Sequence, residues 1–95
     1  MDELIFEFNL EKSRVLKETR GVSFEEAIAL LDKTHILDIL EHPNQQKYPH
    51  QKIYVLNFGE YVYLIPFVRE GNRIFLKTII PSRKATETYL RKRGD

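Results

Sequence analysis

KIYVLNFGEYVYLIPFV, running from Lys52 to Val68, decides the fold class. Aromatic and β-branched residues fill both halves, Lys52–Phe58 and Tyr61–Val68. Such residues suit a pleated, half-buried surface. Gly59-Glu60 between them has the length and composition of a two-residue hairpin connection, so the halves are expected to pair antiparallel. Pro66 lacks a ladder donor, so its strand should bulge there or turn the proline nitrogen toward an edge.

Downstream, Arg69–Asn72 (REGN) reads as a second turn leading into Arg73–Ile80 (RIFLKTII). Period-2 alternation there sets Ile74, Leu76, Thr78 and Ile80 on one face and Phe75, Lys77 and Ile79 on the other. The expectation is a three-strand antiparallel meander. Pro81-Ser82 then marks entry into a final helix over about 82–93, with Ala85, Thr88 or Tyr89 and Leu90 toward the sheet and Arg91, Lys92 and Arg93 solvated.

Upstream, Ile36–Leu40 suits a short strand, and His42–His50 (HPNQQKYPH), with two prolines and no apolar run, is a loop. Ser23 and Glu26 form a capping-box pattern with Val22 placed to staple onto Ala27, so a helix should start at Ser23 or Phe24 and close near Lys33. Asn9 is a natural N-cap for another helix, Leu10–Arg20, that Gly21 terminates. Glu3–Phe8 alternates Leu4, Phe6 and Phe8 with other residues and reads as the first strand. A strand, two helices, an antiparallel meander and a C-terminal helix make an α+β fold.

The chain has 95 residues, 42% of them apolar, which suits one domain spanning residues 1–95 around one core. Without cysteine it can form neither a disulfide framework nor a thiolate metal site. The first residues form no apolar leader, and no apolar run nears the ~18 residues of a membrane helix, so a cytoplasmic protein without membrane attachment is expected. Net charge is +1, yet it is polarised. Residues 1–72 carry 8 Lys/Arg against 12 Asp/Glu, whereas residues 73–95 carry 7 against 2. A basic C-terminal part can meet a phosphate backbone or an acidic partner.

Three sets of residues can carry chemistry. Arg14, Lys17 and Arg20 share about a third of the first helix's circumference and can present a phosphate-binding stripe, or a solvated surface balanced by Glu11 and Glu18. Arg83 and Lys84 sit at a strand-to-helix switch, where helix amides add positive potential for an anion. The loop with His42, Tyr48 and His50, flanked by Lys47 and Lys52, gathers titratable, aromatic and cationic groups. RNA cleavage by attack of a 2′-hydroxyl needs those types for proton transfer, base stacking and charge stabilisation. His42 and His50 have no metal-ligand spacing, and no Gly-rich phosphate loop, nucleophile elbow or zinc motif is present, which disfavours nucleotide-dependent and serine-hydrolase chemistry.

RGVSFEEA at Arg20–Ala27 and IIPSRKAT at Ile79–Thr86, with FEFN at Phe6–Asn9 before them, resemble the BrnT family of type II toxins in order and spacing across nearly the whole chain. The resemblance implies a RelE-like fold and a ribonuclease that inhibits translation by cutting RNA. It also implies a hetero-oligomer with a BrnA-like, DNA-binding antitoxin, and no metal or other cofactor. Lys12 and Arg14 match the family's first helix, and Arg83 and Ala85 its strand-to-helix segment. Two departures stand out: Thr19-Arg20-Gly21 replaces the family's KHG, so Arg20 stands where a histidine usually does, and Lys52 replaces the arginine that opens the meander. The expected catalytic set is Arg83, Lys52, His50 and Tyr48, with Lys12, Arg14, Lys17, Arg20 and Lys84 holding RNA. The alternative is a toxin-fold module that binds an antitoxin or nucleic acid without catalysis.

Overall fold

The computed structural model describes residues 3–91. Elements follow in the order β1 (Ile5–Glu7), α1 (Leu10–Arg20), α2 (Phe24–Ala29), β2 (Ile36–Glu41), β3 (Gln51–Asn57), β4 (Val62–Glu70), β5 (Arg73–Leu76), β6 (Ile80–Pro81) and α3 (Arg83–Thr86), then a π-helical turn, Glu87–Arg91. The fold is α+β. Its six-stranded sheet has the order β1-β5-β4-β3-β2, with β6 also on β4. β2 to β5 pair antiparallel, and β1 adds to β5 in parallel.

Local chemistry accounts for the first helices. The Asn9 side chain accepts from the Lys12 amide at 2.8 Å, and Gly21 takes the left-handed conformation that stops α1. At Ser23 both halves of the capping box form. α2 is shorter than the expected run to Lys33. Asp32 is the reason: its carboxylate accepts from the Thr34 and His35 amides, which gives the backbone an alternative to further helix.

α1 and α2 cover one face of the sheet. Leu16, Val22, Phe24 and Ala27 pack there against Tyr54, Leu56, Ile65, Phe67, Ile74, Leu76 and Ile79 in one core. α3 lies on the opposite face, where the buried Thr86 hydroxyl accepts from the Val62 amide at 2.8 Å.

The strand expected over 73–80 is split, and its alternation breaks. Leu76 partners Phe67 and Ile80 partners Leu64, so four residues advance on one strand against three on the other. One residue too many is the definition of a β-bulge, and it lies opposite Pro66. The Lys77 amide donates to the Pro66 carbonyl, so the proline nitrogen turns toward the same neighbour and offers it no return donor. Parity inverts past the bulge. Ile74, Leu76 and Ile79 are buried, whereas Phe75 and Ile80 are exposed, which corrects the placement of Ile79 and Ile80. The single helix expected over 82–93 is instead the four-residue α3 and the π-helical turn, and Lys92 and Arg93 lie outside the described residues.

Gly71-Asn72 alone makes the second turn, with Gly71 at φ 60° as a type II′ turn requires at its first central position. Glu70 pairs with Arg73, so Arg69 and Glu70 belong to β4 and not to the turn. No helix among the described residues is long and apolar enough to cross a membrane.

Candidate functional site

Strand pairing builds the site. Lys52 lies opposite Phe67 and Tyr54 opposite Ile65, and Ile39 of β2 lies opposite Tyr54. Side chains alternate along each strand, so Lys52, Tyr54, Phe67, Arg69 and Ile39 share the helix-covered face. Tyr54 and Phe67 belong to the core that the helices cover, and beyond them, toward Ile39, Lys52 and Arg69, the face opens. The opening is a cleft of about 430 Å³ that Pro49 and His50 border from the loop and Gly71 from the β4–β5 turn. Pockets of about this size hold small ligands.

Its floor is aromatic and its rim cationic. Tyr54 and Phe67 stack with ring centroids 4.1 Å apart and are 6% and 4% exposed. Burial pushes the Tyr54 phenol up, and the charge of Arg69 opposes that rise in part, so the hydroxyl stays protonated at neutral pH. Arg69 donates through Nε to the Gly71 carbonyl at 2.7 Å, which fixes the guanidinium plane and leaves its two terminal amino groups for a ligand. Glu41 is the cross-strand partner of Lys52. The ion pairs of the described residues nevertheless include none of His50, Lys52, Arg69 and Glu41. An anionic group would meet two unpaired cations here.

The loop beside the cleft is internally bonded. The His42 amide donates to the Gln51 carbonyl at 3.1 Å and closes its base. His42 Nδ1 accepts from the Asn44 amide at 3.0 Å, and the His42 and Tyr48 rings lie 4.4 Å apart. Lys47 Nζ sits 5.4 Å from the Tyr48 ring centre. Tyr48 is therefore held next to the cleft, one residue before Pro49.

The other expected residues are elsewhere or engaged. Arg14 pairs with Glu11 and with Glu18, and Lys17 with Glu26 and the Gly21 carbonyl. Arg20 donates to the Ile79 carbonyl and ties α1 to the strand-to-helix segment. The expected phosphate stripe is thus largely consumed by intramolecular contacts. Lys12 is exposed on α1, away from the cleft lining. Arg83 and Lys84 do not join His50 and Lys52. They begin α3, which follows the pairing of β6 with Tyr63 and Leu64. From Leu64 to Arg69 is five residues of strand, about 17 Å. Lys84 also lines a groove with Leu40, Val55 and Leu64, residues of the opposite face.

Arg69, Tyr54 and Phe67 were missed by the sequence reading. A signal for Arg69 existed in the alternation Ile65, Phe67, Arg69, which runs past Val68 once REGN is shortened to a two-residue Gly-Asn turn. Among the described residues no three His, Asp or Glu side chains come together as metal ligands would. Comparison with protein-family profiles, with curated proteins and with solved structures finds no match.

Proposed function

We propose that this chain is a RelE-like toxin that cleaves RNA without a metal ion, with the cleft of Lys52, Arg69, His50 and Tyr54 as its active site. The observation that carries the reading is the meeting of two unpaired cations, an imidazole and a protonated phenol over an aromatic floor. In the reaction His50 takes the proton of a 2′-hydroxyl, whose oxygen attacks the adjacent phosphorus. The bond to the 5′-oxygen breaks, and Tyr54 supplies the proton that the leaving oxygen needs. A 2′,3′-cyclic phosphate and a 5′-hydroxyl result. Lys52 and Arg69 stabilise the charge that builds on the non-bridging oxygens. A BrnA-like antitoxin is the expected partner, and the cytoplasm the expected compartment.

The purified chain incubated with end-labelled RNA in excess chelator tests this. Cyclic-phosphate products are expected, and His50→Ala should slow their formation about 10²-fold or more. Intact RNA, together with normal growth when the chain is expressed without an antitoxin, would overturn the reading.

One observation favours a second reading, a toxin-fold module that binds without cutting. Arg20, at the place of the family's histidine, is spent on the Ile79 carbonyl, a structural contact. That reading predicts RNA or antitoxin binding with no product at any enzyme concentration.

A further inference from the structure

The hydrogen bond that ends on His42 has only one direction. A backbone N–H can donate and cannot accept, so the bond from the Asn44 amide to His42 Nδ1 requires that nitrogen to carry no proton. The proton of the neutral ring is then on Nε2. A second proton would go to Nδ1 and remove the acceptor. More than one contact depends on it. The Gln45 side-chain amide donates to the His42 carbonyl at 2.6 Å, and the Tyr48 amide donates to the Asn44 carbonyl at 2.9 Å. The Gln51 amide donates to the Tyr48 carbonyl at 3.2 Å, while the Tyr48 ring rests on the imidazole. Asn44 is thus the link between the base of the loop and Tyr48, and His42 holds Asn44.

We propose that His42 is a positioning residue of the cleft and that only its neutral form keeps the 42–51 loop in the shape that presents Tyr48 and His50. Use of this loop by RNA rests on the function proposed above; the loop's dependence on His42 does not. Three elements carry the charged and titratable groups that neighbour His42 along the chain or across the ladder. β2 supplies Glu41, β3 supplies Lys52, and the loop supplies Lys47, Tyr48 and His50. A second proton on the ring removes the Asn44 bond and adds a cation to the loop that already carries Lys47. The direction is opposite to simple electrostatics. Protonation of an unconstrained loop histidine would strengthen its attraction for phosphate, whereas here it should weaken binding.

The test uses the intact chain and has two arms. In the first, imidazole nitrogen chemical shifts and amide protection factors are followed by NMR from pH 8 to pH 5. Neutral His42 should be the Nε2–H tautomer, and protection of the Asn44 and Tyr48 amides should fall at least five-fold as His42 titrates. His42→Asn supplies an oxygen that accepts the N–H two residues on and does not titrate. It should keep that protection at every pH, and His42→Ala should lack it throughout. In the second, binding of a fluorescent oligonucleotide with 2′-deoxy linkages is measured on a His50→Ala background, which removes the catalytic imidazole. Affinity should drop about five-fold or more between pH 7.5 and pH 5.5, and the drop should vanish with His42→Asn added. An Nδ1–H tautomer, or loop amides indifferent to His42 titration, would overturn the proposal. An oligonucleotide that fails to bind while the NMR transition occurs supports the positioning role and counts against RNA as the cleft's ligand.

Discussion

Ser13 joins the two helices through a single hydroxyl. It is 4% exposed, donates to Glu25 at 2.7 Å and accepts from the Phe24 amide at 2.9 Å. Ser13→Ala would leave that buried amide without a partner, and we expect a loss of about 1–3 kcal/mol in urea denaturation. The same bond is the main reason that the Glu25 carboxyl lies below its usual range, while Lys17 lowers Glu26 and His35 lowers Asp32. Each group binds protons less readily folded than unfolded. Their contribution is complete above the ordinary values of 4.5 for Glu and 3.8 for Asp, and is lost as pH falls through the lower folded values. The urea midpoint should therefore fall on acidification below about pH 4.5, and less steeply in Ser13→Ala. At the cleft, Arg69→Ala should weaken RNA binding and Arg20→Ala should not, by gel shift at fixed salt. Equal losses would move RNA to the α1 side. Arg69 was hidden in the sequence because charge next to Glu-Gly-Asn reads as a turn. A type II′ turn needs only Gly71 and Asn72, and that decides whether Arg69 faces the cleft or the solvent.

Among the elements, those with local causes were the ones readable in advance. Asn9, Gly21 and the Ser23–Glu26 box fix their helices by contacts within four residues, and hairpin composition fixes β3 and β4. The C-terminal strand was harder to read, because its course depends on a residue of another strand. Nothing within Arg73–Ile80 announces a bulge; Pro66 across the ladder does. α3 depends likewise on a distant contact: the Thr86 hydroxyl accepts from the Val62 amide and itself donates to the Ser82 carbonyl at 2.7 Å. Thr86→Val keeps the shape and removes both bonds. We expect it to destabilise the protein by about 1–3 kcal/mol. Hydrogen exchange should show the 83–91 segment opening before the β3–β4 hairpin, and uniform loss of protection would contradict that order.

For the molecule as a whole, charge counted along the chain and charge available in space differ. The sequence places its largest basic excess after residue 72, yet Arg73 is paired with Glu7 at 2.7 Å, and Arg83 and Lys84 leave the cleft to others. Cations free to meet a single strand at the site are Lys52 and Arg69, with Lys47 beside them. Each phosphate neutralised contributes about −0.7 to the slope of log affinity against log salt for single strands. Three contacts give a slope near −2, measurable by titration in 50–300 mM salt (roughly the range over which such slopes are read). A much steeper slope would mean that α1 or the C-terminal residues take part.

The parallel pairing of Ile5–Glu7 with Arg73–Phe75 also has a consequence in time. A ribosome releases the first strand early, but its ladder partner among the described residues emerges almost seventy residues later. Until then Phe6 and Phe8, which belong against the core, have no sheet edge to join. The segment carrying them must wait through synthesis of both helices and the hairpin, and loop-closure entropy makes such a long-range pairing slow even once its partner exists. Its arrival covers the exposed edge of β5, a site where a second nascent chain could add, and leaves as the outer strand a three-residue one, a poorer template for such addition.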